Sequence, residues 1–197
     1  PTPTPPPPVS EYSTGAFPYS VTAADLNGDT YPDLAIPNLN GSSVSVLLNN
    51  GDGSFQAKTD YTTSSYPKSV AIADLNDDTY PDLAVTNGSG NSVRVFLNNG
   101  DGTFLLGADY TSGGEPYSVV AVDLNGDTYP DLAVSNNYAN KISVLLNNGD
   151  ATFQTKTDYD TGTTPLTIVA DDFNNDTFPD LAVPNYQGDS VSVLLNN

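Results

Sequence analysis

The chain contains no histidine, cysteine, methionine or tryptophan. Without cysteine there is no disulfide frame, no thiol nucleophile and no thiolate-bound zinc or iron–sulfur site. Without histidine there is no Ser-His-Asp machinery, no imidazole-bound metal and no imidazole proton shuttle near neutral pH. Glutamate is almost missing too. Of 24 acidic residues only Glu11 and Glu115 are glutamate, and the rest are aspartate. Helices use Glu and Lys freely, whereas Asp favours caps, turns and metal loops, so the balance argues against a helical protein. There are five basic residues and a formal charge of −19, which repels phosphate backbones and predicts no nucleic-acid partner. No apolar run approaches the roughly 20 residues of a membrane helix, so no membrane span is expected. The first residue is Pro1 rather than Met, which reads as a processed or trimmed start.

What is present is a repeat. Asp25, Asp74, Asp123 and Asp172 are spaced by 49 residues, as are Tyr12, Tyr61, Tyr110 and Tyr159, and Pro18, Pro67, Pro116 and Pro165. Four such units fill almost the whole of the 197 residues. A period of this length with several short strands per unit suggests propeller blades or another β array. In the second unit, residues 69–73 are mostly apolar and suit a strand buried on both faces. Residues 74–82 are a polar turn, and Leu83-Ala84-Val85 is a second strand. Residues 87–91 are a turn, and residues 92–97 alternate as a third strand. Asn98-Asn99-Gly100-Asp101-Gly102 has turn chemistry, and the segment around Tyr110 is an outer fourth strand. The expected fold is all-β: a β-propeller-type array of four four-stranded antiparallel blades. Residues 1–8 read as a Pro/Thr-rich arm or linker of extended polyproline type. Residues 9–197 read as one four-repeat domain, with units at about 13–61, 62–110, 111–159, and 160–197 plus a strand at 9–12.

The units resemble the FG-GAP/VCBS repeats, the calcium-loop blades of integrin-type propellers. The matching segments are Asp25-Leu26-Asn27-Gly28-Asp29-Thr30-Tyr31-Pro32-Asp33-Leu34-Ala35 with its three copies, and Asn50-Gly51-Asp52-Gly53-Ser54-Phe55. The resemblance covers about residues 9–197 and implies calcium binding. It says little about biological role, because such repeats are built into many proteins.

Each unit carries D-x-N-x-D-x-x-x-D. The first loop has Asp25, Asn27, Asp29 and Asp33, and the second has Asp74, Asn76, Asp78 and Asp82. The third has Asp123, Asn125, Asp127 and Asp131, and the fourth has Asp172, Asn174, Asp176 and Asp180. Oxygens at positions 1, 3, 5 and 9, with the carbonyls of Tyr31, Tyr80, Tyr129 and Phe178 at position 7, suit one hard cation per loop, and calcium better than magnesium. Three carboxylates within nine residues repel one another, and a dication removes that repulsion. About four calcium ions are therefore expected. Asx turns alone do not require three carboxylates at one spacing in all four copies. Position 6 is usually glycine in this family but is Thr30, Thr79, Thr128 and Thr177 here. Either that backbone is not left-handed, or calcium affinity is reduced. Asp77 gives the second loop an extra charge, so that loop is expected to bind most tightly. Single-loop Asp→Ala variants titrated with calcium test the ranking, and equal affinities would refute it.

The expected core comprises Val21, Val70, Val119 and Ile168, then Leu34, Leu83, Leu132 and Leu181. Val46, Val95, Val144 and Val193 join them, with Phe55, Phe104 and Phe153. The four outer tyrosines are expected to pack at blade edges rather than stack on sugars. Asn40-Gly41-Ser42, Asn87-Gly88-Ser89 and Asn175-Asp176-Thr177 fit the N-glycosylation pattern. The last unit stops at Asn197, before its fourth strand, and Val9-Ser10-Glu11-Tyr12 has the phase of that missing strand. The last blade is thus expected to be completed from the N-terminus, in cis or in trans. An open arc or a head-to-tail contact both leave edges that seek partners.

The expected function is a non-catalytic, calcium-stabilised structural or adhesive repeat protein in an extracellular or cell-surface setting. Its expected partner is other copies of itself, joined head-to-tail into a fibre or ring. The alternative is a glycan-binding propeller. Catalysis is not expected, because metal accounts for the aspartates, and Glu115 reads as a solvated turn residue.

Overall fold

The structure is a computed structural model that describes residues 10–197. Among these residues it is all-β, with fifteen strands and no helix. The strands form four antiparallel sheets in simple sequence order. The first blade holds β1 (Thr22–Ala24), β2 (Asp33–Asn38), β3 (Ser43–Leu47) and β4 (Thr59–Thr62). The second holds β5 (Val70–Ala73), β6 (Asp82–Asn87), β7 (Ser92–Asn98) and β8 (Phe104–Thr111). The third holds β9 (Pro116–Val122), β10 (Asp131–Asn136), β11 (Lys141–Leu145) and β12 (Thr157–Asp160). The fourth holds only β13 (Val169–Asp171), β14 (Asp180–Asn185) and β15 (Ser190–Leu194). Residues 10–14 form no strand, and Val9, like the Pro/Thr-rich arm, lies outside the described residues.

The second and third strands of every blade pair in one register: Leu34 faces Leu47, Leu83 faces Phe96, Leu132 faces Leu145 and Leu181 faces Leu194. The hairpins that join them close on a residue with positive φ, namely Ser42, Asn91, Asn140 and Asp189, at 44–56°. Asn and Asp tolerate that conformation because their short polar side chains bond locally. With the hairpin fixed, alternation sends one set of side chains to each face of the sheet.

Three apolar layers lie between consecutive blades. Val44 and Val46 of the first blade pack on Val70, Leu83 and Phe104 of the second. Val93 and Val95 of the second pack on Val119, Leu132 and Phe153 of the third. Ile142 of the third packs on Ile168 and Leu181 of the fourth. Each layer has the same sequence phase, so stability is close to a sum of nearest-neighbour terms. Both ends of this stack differ from the expected core. Val21 is 61% exposed and Val193 is 54% exposed, because the layers that would cover them need a further blade. The sheets do not close into a ring.

Three of the four outer tyrosines pack as expected, Tyr12 on Phe55 among them, whereas Tyr159 has no aromatic partner among the described residues and is 46% exposed. Tyr61 meets Phe104 edge to face at 5.4 Å, and Tyr110 meets Phe153 at 5.0 Å. All five basic residues sit in ion pairs: Lys58–Asp60, Lys68–Glu115, Arg94–Asp109, Lys141–Asp160 and Lys156–Asp158. Surface pairs of this kind are worth at most about 1 kcal/mol each. Glu115 is therefore not a merely solvated turn residue. It accepts from Lys68 Nζ at 2.6 Å. Of the three glycosylation tripeptides, Asn87 is buried in β6 and unavailable to a glycan.

Candidate metal centres

Each acidic loop joins the first strand of a blade to the second. In the first loop the Asp25 carboxylate accepts backbone N–H bonds from Gly28, Asp29 and Thr30, at 2.8, 3.1 and 2.7 Å. These bonds curl the chain around the carboxylate, as an Asx turn does. Asn27 Oδ1 accepts from Asp29 N, and Asn27 Nδ2 donates to Asp29 Oδ2 at 2.9 Å. Asp29 Oδ1 accepts from Tyr31 N.

The other loops repeat this pattern. Position 1 accepts from the threonine N–H at position 6: Asp74 from Thr79, Asp123 from Thr128 and Asp172 from Thr177. Position 3 donates to position 5: Asn76 Nδ2 to Asp78 at 2.9 Å, Asn125 Nδ2 to Asp127 at 2.8 Å and Asn174 Nδ2 to Asp176 at 2.7 Å. Position 5 accepts from the N–H of position 7: Asp78 from Tyr80, Asp127 from Tyr129 and Asp176 from Phe178. The N–H donors around Asp172, Thr177 N foremost, hold its carboxyl below the usual carboxylate range.

The ninth-position aspartates stand apart. Asp33, Asp82, Asp131 and Asp180 are fully buried. Asp82 Oδ1 accepts from Asn98 N at 2.8 Å and Oδ2 from Leu75 N at 3.0 Å. Asp33, Asp131 and Asp180 make the same two bonds to their own blades. Burial pushes the Asp82 carboxyl up to about 6 against the pull of those two N–H groups, with the charges of Asp78 and Asp74 adding to the rise. Asp33 and Asp131 shift the same way for the same first cause. The ninth position thus fastens the loop to the start of the next turn.

Among the described residues no three carboxylates come together as one cluster. Two features of the hydrogen bonding set where the candidate donors sit. The amides of Asn27, Asn76, Asn125 and Asn174 hold one oxygen of Asp29, Asp78, Asp127 and Asp176. The ninth-position carboxylates spend both oxygens on backbone N–H groups.

The donor chemistry nevertheless fits a hard cation, because each loop offers carboxylate, amide and carbonyl oxygens and no nitrogen or sulfur ligand. Residues at positions 1, 3 and 5 are already gathered within one hydrogen-bonded turn. An ion taken by the Oδ2 of Asp29, Asp78, Asp127 or Asp176 would compete for that oxygen with the Nδ2 of Asn27, Asn76, Asn125 or Asn174. The side chains at position 7 have a second use. A Cβ on Gly51, Gly100 or Gly149 would lie 2.7 Å from the ring of Tyr31, Tyr80 or Tyr129. Only glycine lets the following turn approach the ring so closely.

Position 6 adopts the left-handed conformation in all four loops, with φ of 74° at Thr30, 75° at Thr79, 76° at Thr128 and 77° at Thr177. A β-branched residue is strained there by about 1–2 kcal/mol. Thr79→Gly is therefore expected to raise stability by about 1 kcal/mol after its own backbone-entropy cost. A urea midpoint measures this, and a drop on substitution would mean the turn is unstrained.

A further set of residues joins blade to blade. Asn98 Nδ2 donates to Leu26 O at 2.8 Å, Asn147 Nδ2 to Leu75 O at 2.9 Å and Asn196 Nδ2 to Leu124 O at 2.7 Å. Each bond carries the end of one blade's third strand to the acidic loop of the blade before it. Their only sequence signal was recurrence of Asn at one phase.

The FG-GAP-like repeat family matches residues 25–85, 74–134 and 123–183. Among curated proteins no sequence relative matches the chain. Solved structures share the fold. A lectin of Agrocybe aegerita that recognises non-reducing terminal N-acetylglucosamine aligns with a TM-score of 0.57 and 22% identity, over 89% of this chain and 51% of the lectin. Virginiamycin B lyase of Staphylococcus aureus aligns at 0.59 and 21%, over 91% and 53% respectively. The biofilm matrix protein Bap1 of V. cholerae aligns at 0.58 and 20%, over 91% and 28%. The chain spans about half the length of the first two. Identities this low carry the β-propeller architecture and nothing of activity. The repeat match and the four recurring acidic loops together place this chain in the FG-GAP-like repeat family.

Proposed function

We infer that this chain is a non-catalytic, extracellular structural or adhesive module, that calcium in its four acidic loops rigidifies it, and that it associates end to end with copies of itself. The observation that carries the calcium reading is one oxygen-donor turn repeated in all four loops, in which the position-1 aspartate accepts the position-6 N–H and the asparagine at position 3 is bonded to the aspartate at position 5. Carboxylate, amide and carbonyl oxygens gathered in this way suit a hard dication. The left-handed threonine at position 6 lowers the affinity of each loop relative to one with glycine there. Charge supports the same reading, since every basic residue is already paired and the net charge is −19. Tyr31, Tyr80, Tyr129 and Phe178 would add their carbonyls to the aspartate and asparagine oxygens. Isothermal titration is expected to find about four calcium ions per chain, one fewer after Asp29→Ala. No uptake at millimolar calcium would end the reading.

A glycan-binding role is the second reading. A groove of about 480 Å³ opens beside the ends of the second and third blades, lined by Tyr66, Tyr138, Glu115 and the small residues Gly88 and Gly114. Tyr66 is 50% exposed and Tyr138 is 79% exposed, and exposed aromatic faces beside a carboxylate suit a sugar. A glycan array with calcium present separates the two readings. Binding that disappears in Tyr66→Ala and Tyr138→Ala would establish the second.

A further inference from the structure

The two ends of the blade stack are complementary in chemistry and in phase. On the fourth blade Val191, Val193 and Leu195 are more than half exposed, although Val44 and Val46, at the phase of the two valines, are buried against the second blade. At the other end, Tyr12 packs edge to face on Phe55 at 5.4 Å and 78°. That is the contact Tyr61 makes with Phe104 and Tyr110 makes with Phe153, each tyrosine standing in the outer strand of the preceding blade. Tyr12 therefore already occupies the place that the outer strand of a preceding blade would fill.

The polar groups left over follow the same phase. Asn98 and Asn147 each use Nδ2 twice, once within the blade and once on a leucine carbonyl of the preceding blade. Among the described residues Asn49 Nδ2 makes only the inner bond, to Pro32 O. Counting back by the repeat, its second acceptor falls on the Phe173 carbonyl of a preceding copy. Ser45 and Ser143 donate to Asp60 and Asp158 of their blade's fourth strand, at 2.6 and 2.5 Å. Ser192 accepts from Gly162 N and Asn185 Nδ2 and has no such carboxylate among the described residues. The residue in phase with that carboxylate is Glu11. Finally, Tyr159 has no phenylalanine partner among the described residues, and beside it lies a cavity of about 260 Å³ between the third and fourth blades, lined also by Leu146, Leu181 and Leu194.

Resting on the end-to-end reading above, we propose that a second copy of this chain seats its first blade on the fourth blade of the first. Its residues 10–13 become the fourth strand of that blade, antiparallel to β15. The register follows from the third blade, where Lys141, Ile142, Ser143 and Val144 face Asp160, Tyr159, Asp158 and Thr157. Ser13 then faces Ser190, Tyr12 faces Val191, Glu11 faces Ser192 and Ser10 faces Val193. Main-chain bonds hold the added strand and side-chain pockets fix its register. The contact is heterologous, so copies add in one direction.

The absence of native cysteine allows a direct test. Chains carrying only Ser10→Cys are mixed with chains carrying only Val193→Cys, in calcium and a mild oxidant. Facing residues of paired strands lie about 5 Å apart at Cβ, close enough for a disulfide to form with a small adjustment. The expected result is a cross-linked dimer, at least about 10-fold more abundant than from Ser10→Cys mixed with Leu105→Cys on the outer strand of the second blade. Light scattering of the wild type and of a chain lacking residues 1–13 is run alongside, with the truncated chain expected to stay monomeric. Large particles without the 10–193 cross-link would overturn this docking and leave end-to-end assembly standing. A monomeric wild type without cross-link would overturn both. An intramolecular disulfide in the double variant, without dimers, would mean completion in cis and would also overturn the proposal.

Discussion

Excess chelator is expected to lower the melting temperature of this chain by about 20 °C. A ligand present at 100 times its dissociation constant stabilises the folded state by about 2.7 kcal/mol per site. Four loops together supply on the order of 10 kcal/mol, and for a chain of this size each kcal/mol moves the midpoint by about 2–4 °C. The sign follows from charge. In each loop at least three carboxylates lie within nine residues, four in the second where Asp77 joins them, and no basic side chain is left unpaired to offset them. With a dication in each loop, its removal restores that repulsion. Calorimetry in calcium, in magnesium and in chelator measures the effect, with magnesium intermediate because it favours a tighter, wetter octahedron. A chelator shift below about 2 °C would remove metal from the account of stability.

Asp82→Ala is expected to cost about 2–6 kcal/mol in calcium and in chelator alike, at about 1–3 kcal/mol for each buried donor left unpaired. Its two carboxylate oxygens satisfy Asn98 N and Leu75 N in a site without solvent, and alanine leaves both donors without a partner. Asp78→Ala makes the contrast. Asp78 is exposed, and its bonds stay within the loop. It should therefore cost stability chiefly in calcium. Urea unfolding of both variants, with and without chelator, separates the two roles. Equal metal dependence for Asp82→Ala and Asp78→Ala would show that the ninth position acts only as a ligand.

The repeat made most of the architecture legible. Val70, Leu83, Val95 and Phe104 lie in the interior where their phase puts them. Val21 and Val193 carry the same pattern and are exposed, because a period says nothing of what lies beyond its last unit. The acidic loops were legible as turns with oxygen donors. Spacing alone did not reveal that Asn76, Asn125 and Asn174 turn their amides onto Asp78, Asp127 and Asp176, because an asparagine is donor and acceptor at once. The double hydrogen bonding of Asp33 and its equivalents was hidden too, since one donor in each pair comes from 16 residues further on. The tie from Lys68 to Glu115 spans 47 residues and breaks the repeat, so no periodic argument reaches it. Tyr31 was read for its carbonyl, whereas its ring also fixes Gly51, a pairing visible only once the two turns are in space.

The asparagine-to-carbonyl link recurs at every junction between blades, and so do the β-branched and leucine positions of the apolar layer: Val44, Val70 and Leu83, then Val93, Val119 and Leu132, then Ile142, Ile168 and Leu181. Inserting or deleting one whole 49-residue unit therefore leaves both termini with their original surfaces. Length is uncoupled from end chemistry. A chain with one more unit is one blade longer and needs no compensating substitution in the other blades.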